Sequence, residues 1–326
     1  MKNVFIFRLL PILVMSTSQA QVAHDMQAAS SPVPPSGEIR VLPDVDYLGS
    51  DRAEKLDLYL PAGPVPEGGF PAVVFIHGGG FGAGSKDRVG TMANCLRLAR
   101  DGVAAASIDY TLAAPQKPSW PLVIHDCKNA VRFMRVHAAR HNINPGRISV
   151  MGGSAGGQLA LLVAFTAGDK ELEPESPWPG VPDHVRAVVN FYGGTNFATR
   201  RKTSANGEPT DVPFYATGSG LVGGKTPASN PALWAQASPV THVRPGLPPV
   251  LTIHGKRDRA VDYHQATELA DALNKAGVPN KLILLPGVGH GITFDGWQAK
   301  PMRMEKPVEV PDGINLWDEI VRFLKQ

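Results

Sequence analysis

Apolar residues fall along this chain in two rhythms. Short, nearly unbroken apolar runs are "EKLDLYLP" (54–61), "PAVVFIHG" (71–78), "GVAAASIDY" (102–110), "RISVMGG" (147–153), "VRAVVNFYG" (185–193), "PPVLTIHG" (248–255) and "NKLILLPG" (280–287), with a weaker "IRVLPDVDY" at 39–47. The middle runs lack the strict alternation of a half-exposed strand, so they predict strands covered on both faces. Between them the apolar period becomes helical. "DCKNAVRFMRVHAARH" (126–141) puts Ala130, Phe133, Met134 and His137 on one stripe. "HQATELADALNKAG" (264–277) does the same with Ala266, Leu269, Ala270 and Leu273, and ends on Gly277, a helix stop. "INLWDEIVRFLK" (314–325) gathers Trp317, Ile320, Val321 and Leu324. "AGGQLALLVAFTAG" (155–168) is apolar nearly all round and predicts a buried helix. Alternating strands and helices imply an α/β fold with a mostly parallel sheet between two helical layers. Two long stretches break the alternation. Residues 169–184 are acidic and Pro-rich, and residues 194–247 lack a sustained period, which marks them as a possible lid or insertion.

Composition narrows the class only a little. The chain has 326 residues, 43% hydrophobic and 19% charged, in the globular range. Its formal charge of +3 is too small to point to nucleic acid or an anionic membrane. The beginning is more telling. Lys2 and Arg8 precede or flank "LLPILVM" (9–15), and "STSQA" (16–20) ends in a small-x-Ala pattern. This reads as a cleaved signal peptide over residues 1–20, too short for a stable span, and predicts export to the periplasm or the medium. Residues 21–38, with "QVAHDMQAASSPVPPSG", read as a linker before one catalytic domain over residues 39–326.

The chemistry centres on "SVMGGSAGGQLAL" (149–161), in which four glycines crowd Ser154. Within it "GGSAG" (152–156) fits G-x-S-x-G between a strand and a helix, the setting of a nucleophile elbow. Such a serine needs a base and a group to orient that base. Loops after later strands offer both. "KRDRAVD" (256–262) carries Asp258 and Asp262, of which Asp258 lies nearer the strand end and is favoured. "VGHGITF" (288–294) carries His290 between two glycines. The oxyanion of an acyl-transfer intermediate needs N–H donors. "FIHGGGFGAGS" (75–85) supplies Gly79 and Gly80, and the third donor is Ala155.

Competing chemistries fit less well. Residues 79–86, "GGFGAGSK", invert the last pair of a phosphate-binding P-loop, and no G-x-G-x-x-G is present here. His137 and His141 have i, i+4 spacing but no evident third zinc ligand, so a solvated helix face is the reading. His77 is read as a brace for the glycine loop, His254 as a local hydrogen-bonding group, and Asp126 as a helix cap. Phe81, Trp120, Tyr192, Phe294 and Trp297 flank the motif loops and are candidate pocket aromatics.

Three motifs in this order resemble the α/β-hydrolase superfamily, and within it the HGGG esterases related to hormone-sensitive lipase. "LDLYLP" (56–61), "HGGGFGAGSKD" (77–87), "WPLVIHDCKNAVRFMR" (120–135), "GGSAGG" (152–157), "VVNFYGGTNF" (188–197) and "LPGVGHG" (285–291) are most similar to exported bacterial feruloyl and acetyl-xylan esterases. The resemblance covers roughly residues 39–326. It implies an eight-stranded sheet whose second strand runs antiparallel, the triad Ser154–Asp258–His290, oxyanion donors Gly79, Gly80 and Ala155, and no cofactor or metal. It also implies that the helices bearing Cys95 and Cys127 cover opposite faces of the sheet. A disulfide needs Cα atoms within about 7 Å, so both thiols are expected free.

The chain departs from the lipase-like members in three places. Gly153 stands where they carry Asp, "YTLAAPQ" (110–116) replaces Y-R-L-A-P-E, and residues 21–38 cannot form their helical cap. These departures argue against long-chain lipid substrates, and the resemblance to feruloyl and acetyl-xylan esterases implies short-chain or aromatic acyl esters of small molecules or plant polysaccharides. The alternatives on the same fold are a peptidase or amidase and a short-chain lipase. A non-catalytic binding protein is a further alternative, and the intact motifs argue against it.

Overall fold

The computed structural model describes residues 38–214, 220–292 and 315–326. The leader and nearly all of the linker read from the sequence lie outside the described residues, as do Phe294 and Trp297. Eight strands form one sheet: β1 (Arg40–Val45), β2 (Leu56–Leu60), β3 (Phe70–Ile76), β4 (Ala104–Ile108), β5 (Ile143–Gly153), β6 (Val188–Phe191), β9 (Val250–Gly255) and β10 (Asn280–Leu285). Each of the eight apolar runs became one of these strands. β7 (Arg201–Thr203) and β8 (Pro209–Pro213) form a separate hairpin. The sheet order is β1-β2-β4-β3-β5-β6-β9-β10. β2 is antiparallel to both neighbours, and the strands from β4 to β10 in that order are parallel. This is the α/β-hydrolase fold, with the antiparallel second strand that the resemblance implied.

Register decides where chemistry can occur. Ile76 pairs with Gly152, Gly153 with Phe191, Phe191 with Ile253, and Gly255 with Leu285. Five parallel strands, β3, β5, β6, β9 and β10, therefore end together, and the loops that leave them share one edge of the sheet. The order β4-β3-β5 places the switch in connection direction at β3, where open α/β sheets form a crevice.

The helices cover the two faces unequally. α1 (Val89–Arg100) and α6 (Leu316–Lys325) bury Cys95, Leu98, Trp317 and Ile320 in one apolar cluster. α2 (Leu122–Val136), α3 (Ala155–Phe165) and α5 (His264–Lys275) pack into a second, larger cluster on the other face, which contains Cys127. Both cysteines are free and buried in separate clusters, which bears out the expectation of two thiols. All eleven residues of α3 are buried, as its uniform apolar pattern requires.

Two helix readings need correction. α2 begins at Leu122, so Asp126 sits inside it and caps nothing. Its carboxylate instead accepts hydrogen bonds from Thr111 N–H (2.8 Å), Thr111 Oγ1 (2.6 Å) and Arg52 Nη2 (2.9 Å), tying α2 to the loop after β4. The helix also ends at Val136 and not near residue 141. His137 packs against Phe133 and Trp178, and His141 is buried in a following 3-10 turn, so neither lies on a solvated face. Among the described residues no group of three His, Cys, Asp or Glu is placed to hold a metal.

Residues 194–247 divide into two parts. The β7–β8 hairpin is fastened to the loop after β9: Arg201 N–H donates to Asp262 Oδ2 (3.1 Å) and Tyr263 Oη to Glu208 (3.2 Å). The second part includes α4 (Pro231–Gln236) and sends Leu221, Val222, Trp234 and Leu247 into the larger core cluster.

Candidate active site

At the end of β5 the chain reverses into α3 through Ser154, which holds φ 58° and ψ −122°. Left-handed φ is uncommon for any residue with a side chain, and the surroundings must enforce it. They do so by close backbone approach. A Cβ on Gly156 would lie 2.0 Å from the Ile76 carbonyl oxygen, and one on Gly152 would lie 2.4 Å from the Gly156 carbonyl oxygen. Ser154 N–H is tied to the Phe191 carbonyl at 2.9 Å. The glycines thus let β3, β5 and the first turn of α3 interlock, and Oγ is carried beyond the sheet edge.

Two loops from neighbouring strands extend a hydrogen-bonded chain from that oxygen. His290, after β10, places Nε2 3.0 Å from Ser154 Oγ and Nδ1 2.8 Å from Asp258 Oδ2. Asp258, after β9, is fully buried, and its Oδ1 accepts the N–H groups of Ala260 (2.8 Å) and Val261 (2.9 Å). His254, at the end of β9, adds Nε2 at 3.3 Å from Asp258 Oδ2 and at 3.0 Å from the Val261 carbonyl. Burial alone pushes the Asp258 carboxyl upward, but the hydrogen bonds from His254, His290 and Val261 outweigh it and hold the group well below the usual carboxylate range. With Nδ1–H donated to a fixed carboxylate, Nε2 is left to accept the serine proton.

Asp262, the other acid of that loop, is equally buried but is turned away. Its Oδ2 accepts Arg201 N–H, and burial raises its carboxyl above the ordinary value.

The opposite wall is the glycine loop. Gly79 and Gly80 take φ of 139° and 62°, and a Cβ on Gly79 would overlap the Ala83 carbonyl oxygen at 1.8 Å. The N–H groups of Gly79, Gly80 and Ala155 make no hydrogen bond among the described residues. His77 stiffens the loop from behind: its ring stacks on Tyr110 at 4.2 Å and its Nδ1 lies 2.8 Å from the Gly78 carbonyl. Burial lowers the pKa of His77.

Walls and elbow enclose a cleft of about 530 Å³, lined by Gly79, Gly80, Ser154, Tyr192 and His290 among others. Tyr192 meets the His290 ring edge-on at 4.8 Å. The other described aromatic candidates do not line it. Phe81 and Trp120 are 1% and 8% exposed and belong to the larger core cluster, with Trp120 Nε1 donating to Gln236. The aromatics that do line the cleft beside Tyr192 are Phe75, Phe191 and Phe214. Phe75 and Phe191 occupy the last turns of strands that feed motif loops, a signal the sequence carried. Phe214 and the two arginines of the lining, Arg88 and Arg200, carried none.

The fold and this arrangement define an α/β-hydrolase with a serine elbow, a histidine and a buried aspartate in one hydrogen-bonded chain. Residues 56–273 match the family described as BD-FAE, and the chain belongs to that family. It is 32% identical over 259 residues to esterase LipC of Mycobacterium tuberculosis, covering 78% of this chain and 60% of LipC. The chain spans about half to three fifths of the length of LipC and two further mycobacterial ester hydrolases that it matches. Among solved structures it is similar to a truncated carbohydrate esterase from gut microbiota (TM-score 0.66, 26% identity, 79% of this chain and 91% of that one). It is also similar to esterase Est2 of the Planctomycetes species Thermogutta terrifontis with butyrate bound (TM-score 0.60, 29% identity, 79% and 85%).

Proposed function

We propose that the protein is a serine carboxylic-ester hydrolase. One observation carries the reading: Ser154 Oγ, His290 and Asp258 form a continuous hydrogen-bonded chain that faces the N–H groups of a glycine loop across the same cleft. In this reading His290 Nε2 takes the proton as Ser154 Oγ attacks the ester carbonyl. Asp258 fixes the tautomer and stabilises the imidazolium. Gly79, Gly80 and Ala155 donate to the oxyanion, where each such donor is worth on the order of 10²–10³ in rate. The alcohol leaves with the proton from His290, and water then releases the acid from Ser154 by the same steps in reverse.

The acyl group is short or aromatic in this reading. Phe75, Phe191 and Tyr192 give the cleft aromatic walls, and a structural relative holds butyrate. The likeness to a carbohydrate esterase supports an acetylated or feruloylated saccharide as the alcohol half. Lys2, Arg8 and the apolar run 9–15 support export to the periplasm or the medium, where such saccharides occur.

A p-nitrophenyl ester series tests the acyl assignment. A covered acyl tunnel gains roughly 0.8 kcal/mol per buried CH₂, so kcat/KM would climb with every added carbon. The expected profile peaks at acetyl to butyryl and falls beyond. A steady rise to decanoyl would replace this reading with a lipase.

A further inference from the structure

Arg200 is unusual among the cleft residues. It is 4% exposed, yet it lines the same cleft as Ser154 and His290. Its Nη2 donates to the Ala260 carbonyl at 2.9 Å, and its guanidinium lies over the Phe214 ring at 4.7 Å. Its Nε is buried without a hydrogen-bond partner, and no carboxylate among the described residues lies within ion-pair distance of it. The two acids whose charge reaches it are committed elsewhere. Asp258 is bound by His254 and His290, and Asp262 accepts Arg201 N–H. Burial lowers the pKa of Arg200 to about 10, with Asp262 and Asp258 opposing the shift from a distance, so it is cationic at neutral pH.

A buried cation without an anion is costly unless something supplies the charge. The described lining of the cleft contains a second arginine, Arg88, and no acidic side chain. A guanidinium with no carboxylate partner, steadied by the Ala260 carbonyl and the Phe214 ring, suits a substrate carboxylate. Position says which half of the substrate bears it. Arg200 is fastened to Ala260, in the loop that carries Asp258, and so lies on the His290 side, where the leaving alcohol receives its proton.

We propose that Arg200 makes the cleft selective for esters whose alcohol half carries a carboxylate, with an esterified uronic-acid-type sugar as the substrate class. The proposal rests on the ester-hydrolase reading above. Arg200 meets the carboxylate with the part of its guanidinium that lines the cleft and takes no part in bond breaking.

The test compares acetate release from three probes: an acetylated methyl glucuronoside, the corresponding uronamide and the corresponding neutral glucoside. p-Nitrophenyl acetate serves as a reference without a sugar. One charge-assisted hydrogen bond gives about a tenfold preference. Wild-type kcat/KM is expected to be about tenfold or more higher for the uronoside than for the uronamide or glucoside. Arg200→Gln is expected to bring that ratio close to one, and Arg200→Lys to keep part of it. The uronoside–uronamide comparison needs no variant, so it decides the matter even if Arg200→Gln does not fold. Equal rates on uronoside and uronamide overturn the inference and leave the ester-hydrolase reading standing. A folded Arg200→Gln that keeps the full ratio overturns the assignment to Arg200. Failure on every probe, p-nitrophenyl acetate included, overturns the ester-hydrolase reading itself.

Discussion

The two walls of the cleft are built by different means. On one side, the glycine loop and the serine elbow make a surface out of backbone, in which a methyl group added at Gly78, Gly79, Gly152 or Gly156 would strike a carbonyl oxygen. On the other, Asp258, His254 and His290 make a surface out of side chains, held by hydrogen bonds between three loops and strand ends. The first wall is shaped by sterics and cannot adjust. The second is set by electrostatics and depends on which partner each group finds. Within it, Asp258 and Asp262 are buried alike, yet one carboxyl is held low and the other raised. Burial therefore does not decide a carboxylate's role here, and its hydrogen-bond partners do.

Substitutions can break each wall separately. The largest effect on stability is expected from Gly156→Ala. Its Cβ would lie 2.0 Å from the Ile76 carbonyl oxygen and 2.6 Å from that of His77, so β3 itself would have to move. Overpacking of this kind, against backbone, should cost about 3 kcal/mol or more and lower Tm by roughly 6 °C or more. A melt within a degree or two of wild type would show that the glycine wall is adjustable after all.

Asp258→Asn strikes the other wall. It keeps the volume but favours the wrong imidazole tautomer, and kcat should fall by about 10⁴ while the protein remains folded. A pH signature accompanies it. The folded pKa of Asp258 is depressed, so its contribution to stability is present above its unfolded value near 3.9 and is lost as pH falls through the folded value. The Tm difference between wild type and Asp258→Asn should accordingly be constant above about pH 5 and shrink below about pH 4. A difference that grows in acid would reverse the assignment.

The smallest effect is expected from Asp262→Asn. Its folded pKa is raised, so the ionised form opposes folding at neutral pH, and an amide oxygen can still accept Arg201 N–H. The variant should melt at or slightly above the wild-type temperature at pH 7, with kcat within about threefold, less than 1 kcal/mol. A loss as large as that of Asp258→Asn would erase the distinction between the two acids.

The same contrast explains what could be read from the sequence. Sterics are local, so the glycine wall was legible: the spacing of Gly152, Gly153, Gly156 and Gly157 around Ser154 encodes the turn itself. The eight strands were legible for a related reason, because burial on both faces writes an uninterrupted apolar run. The partner-dependent wall was legible only by position. Asp258 and His290 stood out as polar residues after strand ends, and His254 was legible as a local hydrogen-bonding group, but that its partner would be Asp258 depends on how the loop after β9 folds back. Asp126 misled for the same reason. It looks like a helix cap until Thr111 and Arg52, distant in sequence, are brought to it. Phe81 and Trp120 sit beside the motifs in sequence yet turn into the core, where large aromatic area is worth more than it is at a cleft rim.

In the proposed mechanism everything turns on Ser154 as the nucleophile. Treatment with a fluorophosphonate ester, followed by peptide mass mapping and residual activity on p-nitrophenyl acetate, tests it most directly. One phosphonyl group per chain is expected, on Ser154, with activity falling in proportion to its occupancy. Complete inactivation with Ser154 unmodified, or full modification of Ser154 with activity intact, would contradict it.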